Sequence, residues 1–180
     1  MKSGACHRFY IIILFLLALQ VACVQQQSAK KSPVMSDAEK EEMLLRVNKY
    51  LVEKDIELMN AYASQRGWDI EISETGLLYD IYERNDASRV QVGERVSIKY
   101  EVSLIDGTVC YTSERDGSKE FILGRSQEIS GLEQGLFMMG KGEKARLIIP
   151  PHLAYGLIGD EKRIPARAII VYQLELLEIN

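Results

Sequence analysis

The stretch from Ala145 to Pro165 reads ARLIIPPHLAYGLIGDEKRIP. An apolar strand runs into the double proline Pro150-Pro151 and then into Leu153-Ala154-Tyr155-Gly156. A polar loop follows, and Ile164-Pro165 leads back toward a last strand. No pair of groups here suits proton transfer or metal binding. The stretch offers an aromatic hydroxyl and aliphatic side chains on a loop, the makings of a small apolar pocket with one polar handle.

The segments on either side alternate as strands do. Arg95 to Ile105 places Val96, Ile98, Tyr100, Val102 and Leu104 on one face and Ser97, Lys99, Glu101 and Ser103 on the other. Asp106-Gly107 is a strong hairpin signal. Thr108 to Tyr111 continues into a polar loop, Thr112 to Lys119, before Phe121-Ile122-Leu123-Gly124. Ile129 to Leu136 predicts one short helix, with Leu132, Leu136 and Met139 on one face. Its glycines, Gly131 and Gly135, each weaken a helix by roughly 1 kcal/mol relative to alanine. They make sense as points where a sheet passes closely over the helix. Strands are expected over Leu77–Tyr82 and Glu143–Ile149, and in the last strand Ile170, Tyr172, Leu174 and Leu176 share a face. Hairpin-like links imply an antiparallel sheet. The expected fold is α+β, a curved antiparallel sheet wrapped over one short helix.

Upstream, Ser36-Asp37-Ala38-Glu39 is a capping box. Leu44, Val47, Leu51, Leu58 and Tyr62 then recur at helical spacing, widened by Met43, Tyr50 and Met59. This predicts a long helix from about Asp37 to Arg66, stopped by Gly67. Two readings of its apolar stripe stand side by side: packing on its own domain, or an arm for dimerisation or client binding.

Further upstream, Lys2, His7 and Arg8 precede the apolar run Phe9–Leu19, as in an export signal. That run is shorter than the ~20 residues a membrane-spanning helix needs. Gln20-Val21-Ala22-Cys23 resembles a bacterial lipobox, although Gln20 stands where an aliphatic residue is usual. Residues 1–22 are thus expected to be a lipoprotein signal peptide with Cys23 as the lipidated N-terminus; the alternative is an ordinary signal peptide. Residues 23–35 read as a flexible linker, 36–67 as the helical arm and 68–180 as the main domain. The absence of an acidic cluster after Cys23 favours a periplasm-facing leaflet of the cell envelope.

Composition narrows the function. The chain has 180 residues, 47% hydrophobic and 27% charged, with a formal net charge of −4. An acidic chain without a basic cluster argues against nucleic-acid binding. Cys6, Cys23 and Cys110 are too scattered for a disulfide framework, and His7 and His152 lack metal-ligand spacing. No metal or other cofactor is expected.

Taken together, Val96-Ser97-Ile98-Lys99-Tyr100, Asp106-Gly107, Phe121-Ile122-Leu123-Gly124, Ile129–Gly135, Gly140–Ala145, Ile149-Pro150-Pro151, Leu153–Gly156 and Ile164-Pro165 resemble the FKBP-type peptidyl-prolyl isomerases over about residues 90–180. The capped helix is similar to the N-terminal arm of periplasmic members, and the lipoprotein start to gliding-motility-associated isomerases. The resemblance implies a pocket with Leu132 as its floor, Tyr100 and Tyr172 as walls, and Phe121 beneath. Ile129 stands at the rim beside Glu128, and Ile164 lines the flap. Tyr155 would donate to a bound carbonyl, with the Ile129 amide as a second donor. Cys110 and Tyr111 replace the family's usual Phe-Asp among the substrate-binding positions, which removes an acid that orients the pocket tyrosine. The following loop is one residue shorter, and the flap reads Asp160-Glu161-Lys162-Arg163. Glu133 and the Asp160–Arg163 charges are expected at solvated surface.

The implied activity is rotation about X–Pro bonds in proline-containing clients during the folding of exported proteins. The competing readings are a non-catalytic proline-pocket module or holdase chaperone, and a structural envelope lipoprotein.

Overall fold

The computed structural model describes residues 35–180. The expected signal peptide, the lipidated Cys23 and almost all of the linker lie outside the described residues. By packing, the chain divides between Leu44 and Leu45, and Leu45–Asn180 forms one compact unit. Among the described residues no helix is long and apolar enough to cross a membrane.

The long helix α1 spans Asp37–Gln65. At its start the Ser36 amide donates to Glu39 Oε2 at 2.8 Å and the Glu39 amide donates to Ser36 Oγ at 3.3 Å. This is the reciprocal capping box read from the sequence. At its end Gly67 takes φ +65°, and the Trp68 amide reaches back to the Ala63 carbonyl at 3.1 Å. That closure satisfies carbonyls that the last turn would otherwise leave unpaired.

The strands follow as β1 (Glu71–Ile72), β2 (Leu78–Glu83), β3 (Arg95–Leu104), β4 (Val109–Thr112), β5 (Lys119–Ile122), β6 (Lys144–Ile149) and β7 (Ile170–Ile179). A short helix α2 (Ser113–Asp116) separates β4 from β5, and α3 (Ser130–Phe137) precedes β6. The sheet runs β1-β2-β6-β7-β3-β4, with β5 also pairing to β3. Every pairing is antiparallel. β3 is central: one edge meets β7 along its whole length, while the other is shared by β5 near Arg95–Ile98 and β4 near Glu101–Ser103. The helix α2 falls inside the segment expected to be a plain polar loop. Four residues are too few to show a hydrophobic period, and α2 is set instead by Thr112, whose Oγ accepts from the Arg115 amide at 3.3 Å.

Two apolar clusters hold the sheet. On one face Val96, Ile98, Tyr100, Val102, Ala145, Leu147, Ile149, Ile170, Tyr172, Leu174 and Leu176 pack with Leu132 and Leu136 of α3. On the other, Leu78, Ile148, Ile169 and Val171 pack with Met59, Tyr62 and Ala63 of α1. The consecutive apolar residues Leu147-Ile148-Ile149 and Ile170-Val171-Tyr172 therefore serve both faces, as in any strand covered on two sides. The glycines of α3 permit its close seat. A Cβ on Gly131 would stand 2.3 Å from Ile149 Cγ2, and one on Gly135 would stand 2.4 Å from Leu147 Cδ1. The α1 stripe divides: Met59 and Tyr62 are buried, whereas Val47, Tyr50 and Leu58 are exposed.

Candidate active site

Tyr100 on β3 and Tyr172 on β7 stand on the same sheet face because Tyr172 pairs with Val102, two residues from Tyr100. Their ring centroids are 6.2 Å apart. Both hydroxyls are pushed above the ordinary tyrosine value, chiefly by burial, with the charges of Asp116 and Glu128 next for Tyr100 and the neighbouring Tyr155 next for Tyr172. Beside them the chain leaves β6, makes a 3₁₀ turn at Pro151–Leu153, and swings Tyr155 over the tyrosine pair.

The result is a cavity of about 250 Å³ lined by Tyr100, Tyr111, Lys119, Tyr155, Asp160, Lys162 and Tyr172. The Tyr155 hydroxyl is pushed up to about 12, first by burial and then by the nearby charges of Glu128 and Asp160. It has no hydrogen-bond partner among the described residues and remains a protonated donor facing the cavity. Nor does the Ile129 amide donate to any described group.

Behind this wall, Phe121, Leu132, Leu153 and Ile164 are buried in the core cluster, with Ile129 half-buried against it. They support the pocket from below rather than forming the surface of the cavity. Glu128 stands outside the lining and pairs with Lys119 at 2.8 Å. Cys110 does not face the pocket as expected. It is 1% exposed within the core, its thiol 3.5 Å from the Arg163 carbonyl. Cys110 falls at the irregularity where the β3–β4 register shifts between Val102 and Ser103, and both it and Tyr111 pack against the same core cluster.

Asp160 corrects a second expectation. Its carboxylate is not an idle surface charge. Oδ1 accepts from the amides of Lys162, Arg163 and Ile164 at 3.0, 2.9 and 2.7 Å, and Oδ2 accepts from the Tyr111 hydroxyl. These bonds hold its pKa below the usual carboxylate range despite partial burial. They raise the Tyr111 hydroxyl to about 12, with the Asp160 bond the largest cause. The Asp160 carboxylate on the facing loop thus engages Tyr111, while the Tyr155 hydroxyl has no partner among the described residues. Sequence reasoning also missed Lys119 and Lys162, since a lysine carries no local pattern that marks a pocket wall. Glu133 likewise has a structural task, accepting from Gly124 N at 3.1 Å and Ser126 Oγ at 2.7 Å.

A second groove, about 470 Å³, lies between α1 and the β1–β2 turn, with Val52, Ile56, Ile72, Pro150 and His152 among its walls. The His152 imidazole is engaged with the Thr75 carbonyl at 2.9 Å.

Residues 86–177 match the family model for the FKBP-type peptidyl-prolyl cis-trans isomerases. The chain belongs to this family. FK506-binding protein 2 of Yarrowia lipolytica is 39% identical over 106 residues, covering 58% of this chain and 74% of that protein. The human peptidyl-prolyl cis-trans isomerase FKBP9 is 39% identical over 88 residues, which are 48% of this chain but only 15% of that much longer protein. Among solved structures, FkpA from Escherichia coli aligns with 100% of this chain and 98% of its own, at 26% identity and a TM-score of 0.61. The matched residues take in β3 to β6, most of β7, α3 and every residue lining the tyrosine cavity.

Proposed function

We propose that the tyrosine cavity binds the X–Pro segment of unfolded polypeptides and accelerates rotation of the prolyl bond. The observation that carries this is the unpartnered, protonated Tyr155 hydroxyl aimed into a cavity walled by Tyr100 and Tyr172. Rotation must break amide conjugation against a barrier of ~18–20 kcal/mol, and unaided X–Pro exchange takes tens to hundreds of seconds. A planar amide is more dipolar than a twisted one, so a water-poor pocket favours the twisted state. Tyr155 holds the substrate carbonyl while the bond turns, a donor fixed before the reaction begins. Lowering the barrier by about 4 kcal/mol gives roughly a thousandfold acceleration. No nucleophile or proton transfer is needed. Tyr155 and Tyr100 contact the substrate and Tyr172 forms the inner wall. Leu132, Phe121, Ile129 and Ile164 shape the pocket from behind, and Tyr111 with Asp160 holds the flap.

The same reading places the protein on the cell envelope through a lipid on Cys23, facing the periplasm and acting on exported proteins. The lipobox-like Val21-Ala22-Cys23 supports it. Radiolabelled palmitate incorporation that disappears in Cys23→Ser, with the wild type in the membrane fraction, is the expected result.

A second reading, a holdase that binds clients without turnover, is favoured by the exposed Val47, Tyr50 and Leu58 on α1. The same face could equally pair two copies of the chain. Refolding of a protein limited by prolyl isomerisation separates the readings. Acceleration at substoichiometric amounts supports the isomerase; suppression of aggregation at equimolar amounts, with no rate effect, supports the holdase.

A further inference from the structure

Lys119 occupies a place where the pattern of the sheet calls for an apolar side chain. It opens β5, pairs with Ile98 of β3, and shares its face with Phe121 two residues on. Val96, Ile98 and Phe121 on that face are all buried. The Lys119 side chain is 26% exposed and lies on the cavity wall, its ammonium 5.4 Å from the centre of the Tyr100 ring. Glu128, itself only 21% exposed, accepts one of the three ammonium N–H groups at 2.8 Å from outside the lining. Lys119 has no other hydrogen-bond partner among the described residues. The charged groups of the cavity are thus unevenly committed. Asp160 already accepts from three backbone amides and the Tyr111 hydroxyl. A client carboxylate finds a charged donor with N–H groups to spare, whereas a client ammonium finds no uncommitted carboxylate on the wall.

We propose that Lys119 is a specificity-determining residue of the prolyl site, selecting clients with aspartate or glutamate directly before or directly after the proline. The inference rests on the prolyl reading of the cavity. Consecutive Cα atoms are ~3.8 Å apart, so a proline held at Tyr155 brings its flanking residue against the wall where Lys119 stands. The client carboxylate joins the ammonium while Glu128 stays paired with it. Lysine or arginine at the same client position meets the Lys119 charge and is disfavoured, so the residue both attracts one class of client and repels another.

The experiment uses the full chain and four prolyl peptides in a serine-alanine background. They carry glutamate, or glutamine of the same shape, directly before or directly after the proline. The readout is kcat/KM for each glutamate peptide divided by that of the matching glutamine peptide. In the wild type this ratio is about three to five at one of the two positions, as for a partly exposed ion pair. It falls toward one as salt is raised from about 0.05 M to about 0.5 M. In Lys119→Gln the ratio is about one already at low salt. In the exchanged pair Lys119→Glu, Glu128→Lys, which keeps the ion pair but reverses its sign at the wall, the ratio drops below one. A ratio of about one at both positions in the wild type, or a ratio unchanged in Lys119→Gln, overturns the proposal and leaves the prolyl reading standing. Lys119 then only ties β5 to the segment before α3, a structural role that is blind to client charge. A ratio at or above that of the wild type in the folded exchanged pair overturns it likewise. A wild type that accelerates none of the four peptides overturns both readings.

Discussion

At the scale of single residues, the site depends on one donor and on the acid that frames it. Replacing Tyr155 by phenylalanine keeps the ring and removes the hydroxyl, so kcat/KM on a prolyl peptide is expected to fall about tenfold, the worth of one neutral hydrogen bond. Asp160→Asn weakens the acceptor that gathers three backbone amides and the Tyr111 hydroxyl. It should raise KM more than it lowers kcat, because it loosens the flap without touching the donor. The pH behaviour follows from the tyrosines. Tyr155 and Tyr111 both rise from an ordinary 10.0 to about 12, so the neutral donor persists through the physiological range. Activity is expected to be flat from about pH 6 to pH 9, near the range where these groups stay protonated. Since the unfolded tyrosines ionise first, the stability tied to them is full below pH 10 and is lost as pH rises through about 12. A pH-jump unfolding series reads this directly. Tyr100, Tyr155 and Tyr172 were legible in the sequence from strand parity and the family pattern. Asp160 was not, because its importance arises from a loop folding back over β4, and no local spacing encodes that closure.

At the scale of elements, the placement of α3 rests on its two glycines, and that was readable from Gly131 and Gly135 at a spacing of four. Gly135→Ala drives a Cβ into Leu147, and overpacking of this kind costs about 1–3 kcal/mol. The loss is expected as a lower denaturant midpoint with an unchanged slope. The strand Lys144–Ile149 is tied to the segment before β3 by Glu143, which is 0% exposed. Its carboxylate accepts from Asn85 N at 2.9 Å and Gly140 N at 3.0 Å and pairs with Arg89 at 2.6 Å. Although burial opposes ionisation most strongly, these partners hold the group below its ordinary 4.5. Its stabilisation is therefore present above about pH 4.5 and is lost as pH falls below it. Glu143→Gln should abolish that part of the acid sensitivity in thermal melts between about pH 3 and pH 6. In the sequence Glu143 was only the first residue of a strand, since a buried acid is announced by its partners and those lie more than fifty residues away in Asn85 and Arg89. The four-residue α2 was illegible for the opposite reason: it is too short to have a period.

At the scale of the whole molecule, α1 closes the outer face of the sheet with its last turns. Removing residues 1–44 spares the compact unit that begins at Leu45, so the melting temperature is expected to change little. Beginning the chain at Trp68 instead strips Met59, Tyr62 and Ala63 from Leu78, Ile148 and Val171. Losing contacts of that kind costs about 2–5 kcal/mol for each large side chain. Such a chain is expected to be insoluble or strongly destabilised in thermal melts. The helix itself was plain in the sequence. Which of its apolar residues meet the sheet was not, because the stripe through Leu44, Val47, Leu51 and Leu58 is offset from the face that packs. The central claim is that the tyrosine cavity turns over prolyl bonds. It is tested most directly by exchange spectroscopy on a prolyl peptide, which follows cis and trans signals with the wild type and Tyr155→Phe. The account predicts cis–trans exchange far above the uncatalysed rate with wild type and roughly tenfold less with the variant; exchange at the uncatalysed rate with the folded wild type would contradict it.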